Sequence, residues 1–234
     1  MSQELLPRQR NSARPNKITV LLADDHPLIR QALKNVIEKH ADLEIVGEAG
    51  DGEEAVKLAD KLLPDVVIMD IVMPKLNGLE ATQRIKAAHP NVAVLVLTVH
   101  DDDQYILGIL QAGAAGYLTK SVFGDEVVRS IHAVVSGEMV LSPPIGRRLL
   151  KQAAKYPTDP VQMGKQESLS ARELVILKLA ARGMSNQSIA QELGLTQRTI
   201  KGYLANIFSK LNVSSRTEAA VVGLRSGFIS VDDL

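Results

Sequence analysis

The 234-residue chain is long enough for two small domains, each with its own core, and its 45% hydrophobic and 23% charged residues are those of an ordinary globular protein. No apolar run approaches the roughly 20 residues a helical membrane span needs, and the absence of cysteine excludes disulfides, thiolate metal sites and cysteine nucleophiles. The net charge of zero conceals an acidic stretch, residues 17–140 with 19 acidic and 11 basic side chains, balanced by positive excess in 1–16, 141–164 and 165–234.

Residues 1–16 hold Arg8, Arg10 and Arg14 but no apolar core of a secretory signal, so a flexible tail on a cytoplasmic protein is expected. Residues 17–140 then alternate short apolar runs with amphipathic stretches, the pattern of a parallel sheet with helices on both faces. Five runs read as strands: Ile18 to Ala23, Glu44 to Glu48, Asp65 to Met69, Val92 to Leu97 and Gly116 to Thr119. Helices are expected from near Pro27, Gly52, Gly78 and Asp102, and from Phe123 to Val135; Pro27 suits a first helical turn because its φ is already fixed there and no N–H is missed. After Val140 the sheet pattern stops, and the prolines at 143, 144, 157 and 160 mark a linker over 141–164.

From residue 165 onward the pattern is helical. Ser170-Ala171-Arg172-Glu173 has the spacing of a capping box before the apolar run Leu174 to Ala181. Ser185 is placed to cap a short second helix, Gly194 to make a tight turn, and Thr196 to cap a third. In that third helix Ile200, Leu204, Ile207 and Leu211 form one apolar stripe, leaving Arg198, Lys201, Gly202, Ala205 and Asn206 toward the other side. A short helix, a glycine turn and a second helix with a basic outer face suit entry into a DNA major groove. Ser215-Arg216-Thr217-Glu218 opens a last helix rich in small apolar residues.

In an open parallel sheet, chemistry sits outside the carboxyl ends of the strands. Those ends carry Asp24-Asp25, Asp70, Thr98 and Lys120. Taken singly, each is an ordinary turn, cap or surface residue; four strand ends bearing such groups together point to one site. Converging carboxylates repel unless a cation neutralises them, and magnesium, a hard ion often shared with a phosphate, is the natural one. The five histidines are scattered, so the metal is expected among oxygen donors. Lys120 and Thr98 would face phosphoryl oxygens, and Asp70, followed by a long turn through Gly78, is the best nucleophile for an aspartyl phosphate.

Asp24-Asp25, Asp70 with Met73-Pro74 and Gly78, Thr98 and Lys120 together resemble the motif set of receiver domains, over roughly Ile18 to Gly137. Leu169 to Ala220 is similar to the LuxR-type helix-turn-helix domain through Leu169-Ser170, Arg172-Glu173, Ile189-Ala190, Thr199-Ile200-Lys201, Asn206-Ile207 and Lys210-Leu211. The chain thus resembles two-component response regulators of the NarL/FixJ type. This implies a flavodoxin-like (βα)5 receiver at 17–140 and an all-α DNA-binding domain at 165–234.

The resemblance implies Asp70 as phosphoacceptor from a sensor histidine kinase. It also implies Asp25, Asp70 and the Val72 backbone carbonyl as Mg2+ ligands, Asp24 acting indirectly, and Thr98 and Tyr117 as the switch pair. It further implies a homodimer on double-stranded DNA when phosphorylated. Lys201 would be the main contact, Arg198, Asn206, Lys210 and Arg216 would meet phosphates, and Gly202 and Ala205 would lie on the DNA-facing side. Three positions depart from the pattern: Ser121 stands where many receivers have proline, Tyr203 where histidine is common, and Ala205 where a longer polar side chain often reaches DNA. The alternatives are a DNA-binding regulator working without phosphorylation and a phosphotransfer enzyme; the first conflicts with the intact carboxylate–lysine set, the second with the helix-turn-helix.

Overall fold

The structure, a computed structural model, describes residues 17–98, 108–109, 111–122, 124–141, 169–230 and 233. The expected tail, nearly all of the helix expected from Asp102 and most of the linker lie outside these residues.

The first part is a parallel sheet of β1 (Ile18–Ala23), β2 (Leu43–Ala49), β3 (Val66–Met69), β4 (Ala93–Thr98), β5 (Gly116–Thr119) and β6 (Val140–Leu141) in the order β2-β1-β3-β4-β5-β6. Helices α1 (Pro27–Ile37), α2 (Gly52–Leu62), α3 (Gly78–Ala88) and α4 (Asp125–Val135) cover it. Apolar side chains on both faces of β3, every residue of which is buried, are what a central parallel strand requires. One face packs on Ala55 and Ala59 of α2 and Ala81 and Ile85 of α3, the other on Leu33 and Ile37 of α1 and Val127 and Ile131 of α4.

The five expected strands are present with ends within a residue of their sequence reading. The sixth is a correction: Val140–Leu141, where the sheet pattern had been expected to stop, pairs with β5 in the register Gly116↔Val140 and Tyr117↔Leu141. Two residues carry too little periodicity to announce a strand; they pair because β5 would otherwise leave its outer edge open. Among the described residues every peptide bond is trans.

The second part consists of α5 (Ala171–Ala181), α6 (Asn186–Leu193), α7 (Gln197–Leu211) and α8 (Arg216–Arg225) around a core that includes Ile176, Leu177, Ile189 and the stripe Ile200, Leu204, Ile207, Leu211. Ser170, Ser185, Thr196 and Ser215 each accept a hydrogen bond from the backbone N–H three residues on, so all four expected caps form.

The capping box extends into a tertiary contact. Glu173 Oε2 accepts from Ser170 N and Oγ, each at 2.7 Å, and lies 2.9 Å from Lys210 Nζ of α7. Lys210, followed by the Ser170 donors, holds the Glu173 carboxyl down at about 2. A carboxyl depressed below its unfolded value stabilises the fold above about pH 4.5, and that contribution disappears as the pH falls toward 2. Melting curves of the full chain and Glu173→Gln are therefore expected to differ most at neutral pH and to converge in acid; a constant difference from pH 7 to 2.5 counts against this linkage.

Candidate functional site

The strand order reverses at β1, which has β2 on one side and β3 on the other, so the crevice of this sheet lies outside the carboxyl ends of β1 and β3. Asp24 follows β1, Asp70 follows β3, and Lys120 follows β5. Lys120 Nζ joins them, 2.6 Å from Asp24 Oδ2 and donating to Asp70 Oδ2 at 2.8 Å, with all three side chains buried. Asp70 Oδ1 accepts from the Ile71 N–H at 2.8 Å. Burial pushes the Asp70 carboxyl up, against the downward pull of Lys120. Burial pushes the Lys120 ammonium down, but its bonds to Asp24 and Asp70 carry it above its ordinary value, so it stays charged.

The loop after Asp70 is shaped by backbone constraints. A Cβ on Gly78 would stand 2.0 Å from the Asp70 carbonyl oxygen, so only glycine lets α3 start this close to Asp70. Lys75 takes a left-handed φ of 64° and reaches back to Asp51 Oδ2 at 2.5 Å, tying the loop to the N-terminus of α2.

Asp24, Asp25, His26 and Asp70 each offer a ligand atom, all within 4.8 Å of one another. Asp25 Oδ1 is buried and accepts no hydrogen bond. Three carboxylates against one lysine leave two uncompensated negative charges, so the donor set fits an oxygen-seeking dication. The imidazole of His26 stands within the same cluster, beside the oxygen donors expected from the sequence. In the sequence His26 reads only as the residue before a helix; what placed it here is the tight β1–α1 turn, in which its N–H donates to Asp24 Oδ1 at 2.9 Å.

The remaining pocket residues fall as follows. Val72 is half exposed in the loop after Asp70. Thr98 closes β4 opposite Thr119, but its side chain lies outside the described residues. Tyr117 is fully buried, its ring in the core on the α2–α3 side of the sheet.

On the helical part, Arg198, Lys201, Gly202, Ala205 and Asn206 are exposed on α7. A Cβ on Gly202 would meet nothing within 4 Å, so packing does not explain the glycine. Lys210 is engaged by Glu173. Arg216, expected to meet phosphate, is buried instead: its Nε and Nη2 donate to the Ala180 carbonyl at 3.0 and 2.8 Å, Nη2 also to that of Met184, and Nη1 to that of Gly137 at 2.8 Å. Spacing within one helix could not show that three backbone carbonyls would converge on this side chain.

Gly137 belongs to the sheet domain, so Arg216 also bridges the two parts. Asn186 Nδ2 donates to Ser136 O at 3.2 Å, and Thr217 Oγ1 to Ala115 O at 3.2 Å. Val221 of α8 packs in the sheet domain's core. Lys86 of α3 faces Glu218 across the seam; its ammonium donates to the carbonyls of Pro90 and Val92, and burial lowers it to about 8. A cleft of about 610 Å³ beside the seam is lined by Lys201, Leu204, Ala205 and Phe208 of α7 and by Pro90 and Asn91.

Residues 20–132 match the response regulator receiver domain family and residues 167–222 the bacterial regulatory proteins of the luxR family. The chain is 35% identical over 228 residues to the transcriptional regulatory protein DegU of Brevibacillus brevis, covering 92% of this chain and 97% of that protein. It is 39% identical over 213 residues to LiaR of Bacillus subtilis, covering 91% and 100%. Among solved structures it is similar to the response regulator ChrA of a heme-sensing two-component system (TM-score 0.50, 32% identity, 92% of this chain and 100% of that one). It is also similar to a LuxR-family two-component response regulator from Aurantimonas (TM-score 0.56, 33% identity, 59% and 99%). The chain belongs to the NarL/LuxR family of two-component response regulators, transcription regulators that join a receiver domain to a LuxR-type DNA-binding domain.

Proposed function

We propose that this regulator takes a phosphoryl group on Asp70 from a sensor histidine kinase and that the modification controls the binding of a homodimer to double-stranded DNA. The observation that carries the reading is the buried bridge of Lys120 between Asp24 and Asp70, beside Asp25 at the switch point of the sheet. One Asp70 carboxylate oxygen attacks phosphorus, the bond from phosphorus to the donor's imidazole nitrogen breaks, and the nitrogen leaves with its electron pair. Asp70 must give up its contact with Lys120, which then pairs with a phosphoryl oxygen. The Thr98 hydroxyl turns toward the same group, and Tyr117 holds the inward position behind it. Asp25, Asp70 and the Val72 carbonyl would hold Mg2+ directly and Asp24 through water; the ion supplies charge neutralisation for the phosphoryl oxygens.

On the DNA side, Lys201 is the principal contact, Arg198 and Asn206 meet phosphates, and Gly202 and Ala205 let the backbone of α7 come close. Lys210 joins them once freed from Glu173. The receiver spans 17–140 and the DNA-binding domain 165–234, joined by 141–164. The seam supports a closed, unphosphorylated state in which α7 faces the receiver: Thr217 reads the carbonyl of Ala115, next to the strand that carries Tyr117 and leads into Lys120.

Incubated with acetyl phosphate and Mg2+, the full chain is expected to gain one phosphoryl group per protomer and Asp70→Asn none. Normal labelling of that variant would remove the proposal.

A further inference from the structure

We propose that His26 is a ligand in the cation pocket and that it extends the pocket's preference from magnesium toward transition-metal dications such as Zn2+. The inference rests on reading that pocket as a cation site. His26 is the residue immediately before α1, its N–H fixed on Asp24 Oδ1, and Pro27 after it fixes the first turn. Its Nδ1 stands 2.6 Å from Asp25 Oδ1 and 3.3 Å from Asp24 Oδ1. Despite that closeness Asp25 Oδ1 accepts no hydrogen bond. Two donor atoms side by side without hydrogen-bond geometry are disposed to share a third partner.

The chemistry of the set then decides which partner. Magnesium demands oxygen ligands, and the carboxylates supply them whether or not His26 is present. An imidazole nitrogen adds little for that ion, but it suits Zn2+ and its neighbours, which bind mixed nitrogen and oxygen sets more tightly than magnesium does. The imidazole is about two-thirds exposed at the mouth, so it is free to turn onto an ion held by Asp25 and Asp70 without disturbing the core. With Zn2+ seated there, the pocket would be occupied by an ion other than the one the phosphoryl step calls for, so zinc would compete with Mg2+-dependent phosphorylation.

The opposing reading is that His26 is only a counter-ion to Asp25, which any entering cation must displace. Calorimetric titration of the full chain with Zn2+ and with Mg2+, in wild type, His26→Asn and Asp25→Asn, separates the two. As a ligand, His26→Asn loses about tenfold or more in Zn2+ affinity, while Mg2+ affinity stays within about twofold. In the wild type, Zn2+ also shifts the ring-nitrogen resonances of His26. His89 and His132, paired at the surface with Asp60 and Asp42, contribute the same background in both proteins. The inference is overturned if the variant gains or loses affinity for both ions together, or if the His26 nitrogens do not move. Asp25→Asn is expected to bind neither ion; unchanged binding there would remove the cation pocket itself, a failure distinct from that of His26 alone.

Discussion

Arg216→Ala is expected to unfold the DNA-binding domain, where a phosphate contact would lose only affinity. The guanidinium satisfies the carbonyls of Ala180 and Met184 inside the helical part and that of Gly137 across the seam. Burial draws its pKa down to about 10, so the charge persists, sustained by these acceptors. Truncation takes the side-chain donor from the Met184 and Gly137 carbonyls and leaves that of Ala180 only its backbone donor from Gly183, at about 1–3 kcal/mol for each carbonyl left unpaired, and a loss of roughly 3–5 kcal/mol is most of the stability of a domain of this size. Arg216→Lys should fare little better, because an ammonium cannot reproduce a fork that reaches several carbonyls in one plane. A phosphate contact behaves differently: Arg216→Ala would then melt like wild type and reduce the salt dependence of DNA binding by about one ion, and Arg216→Lys would keep most of the affinity. Circular dichroism melts beside salt-titrated DNA binding tell the two apart.

How far the sequence carries depends on whether a feature is local. Strands β1 to β5 are legible because each is an apolar run bounded by turn residues, and the caps at Ser170, Ser185, Thr196 and Ser215 because a cap is a three-residue relation. The pocket is legible for a related reason: in a parallel sheet the residue after each strand has only one place to go. What required the structure is set by contact between distant segments. Strand β6 exists only against β5, the role of Arg216 depends on carbonyls 32 to 79 residues away, and His26 enters the pocket through the conformation of one turn. One signal did stand in the sequence: Ala219 to Leu224 is apolar on more sides than a single core can use. Ala219 and Ala220 pack inside the helical domain, whereas Val221 packs on the receiver.

That second apolar face makes Val221→Asp the sharpest test of the closed state. Val221 is buried among receiver side chains and lies outside the helical domain's own core, so its replacement spares the α7 surface and the phosphorylation pocket. A carboxylate there must either be buried unpaired, at a cost of several kcal/mol, or reach water by parting the seam. The bonds from Arg216, Asn186 and Thr217 to Gly137, Ser136 and Ala115 are too few to resist that cost. If the seam holds the closed form by about 2–3 kcal/mol, only about 0.6–3% of unphosphorylated molecules are open, and forcing the rest open raises apparent DNA affinity by roughly 30- to 160-fold. The unphosphorylated variant is therefore expected to bind DNA about as tightly as phosphorylated wild type, to respond little to acetyl phosphate while still being labelled by it, and to show a larger radius of gyration in solution scattering. Wild-type affinity with wild-type dependence on phosphorylation would mean that the contact between α8 and the receiver does not restrain the DNA-binding surface.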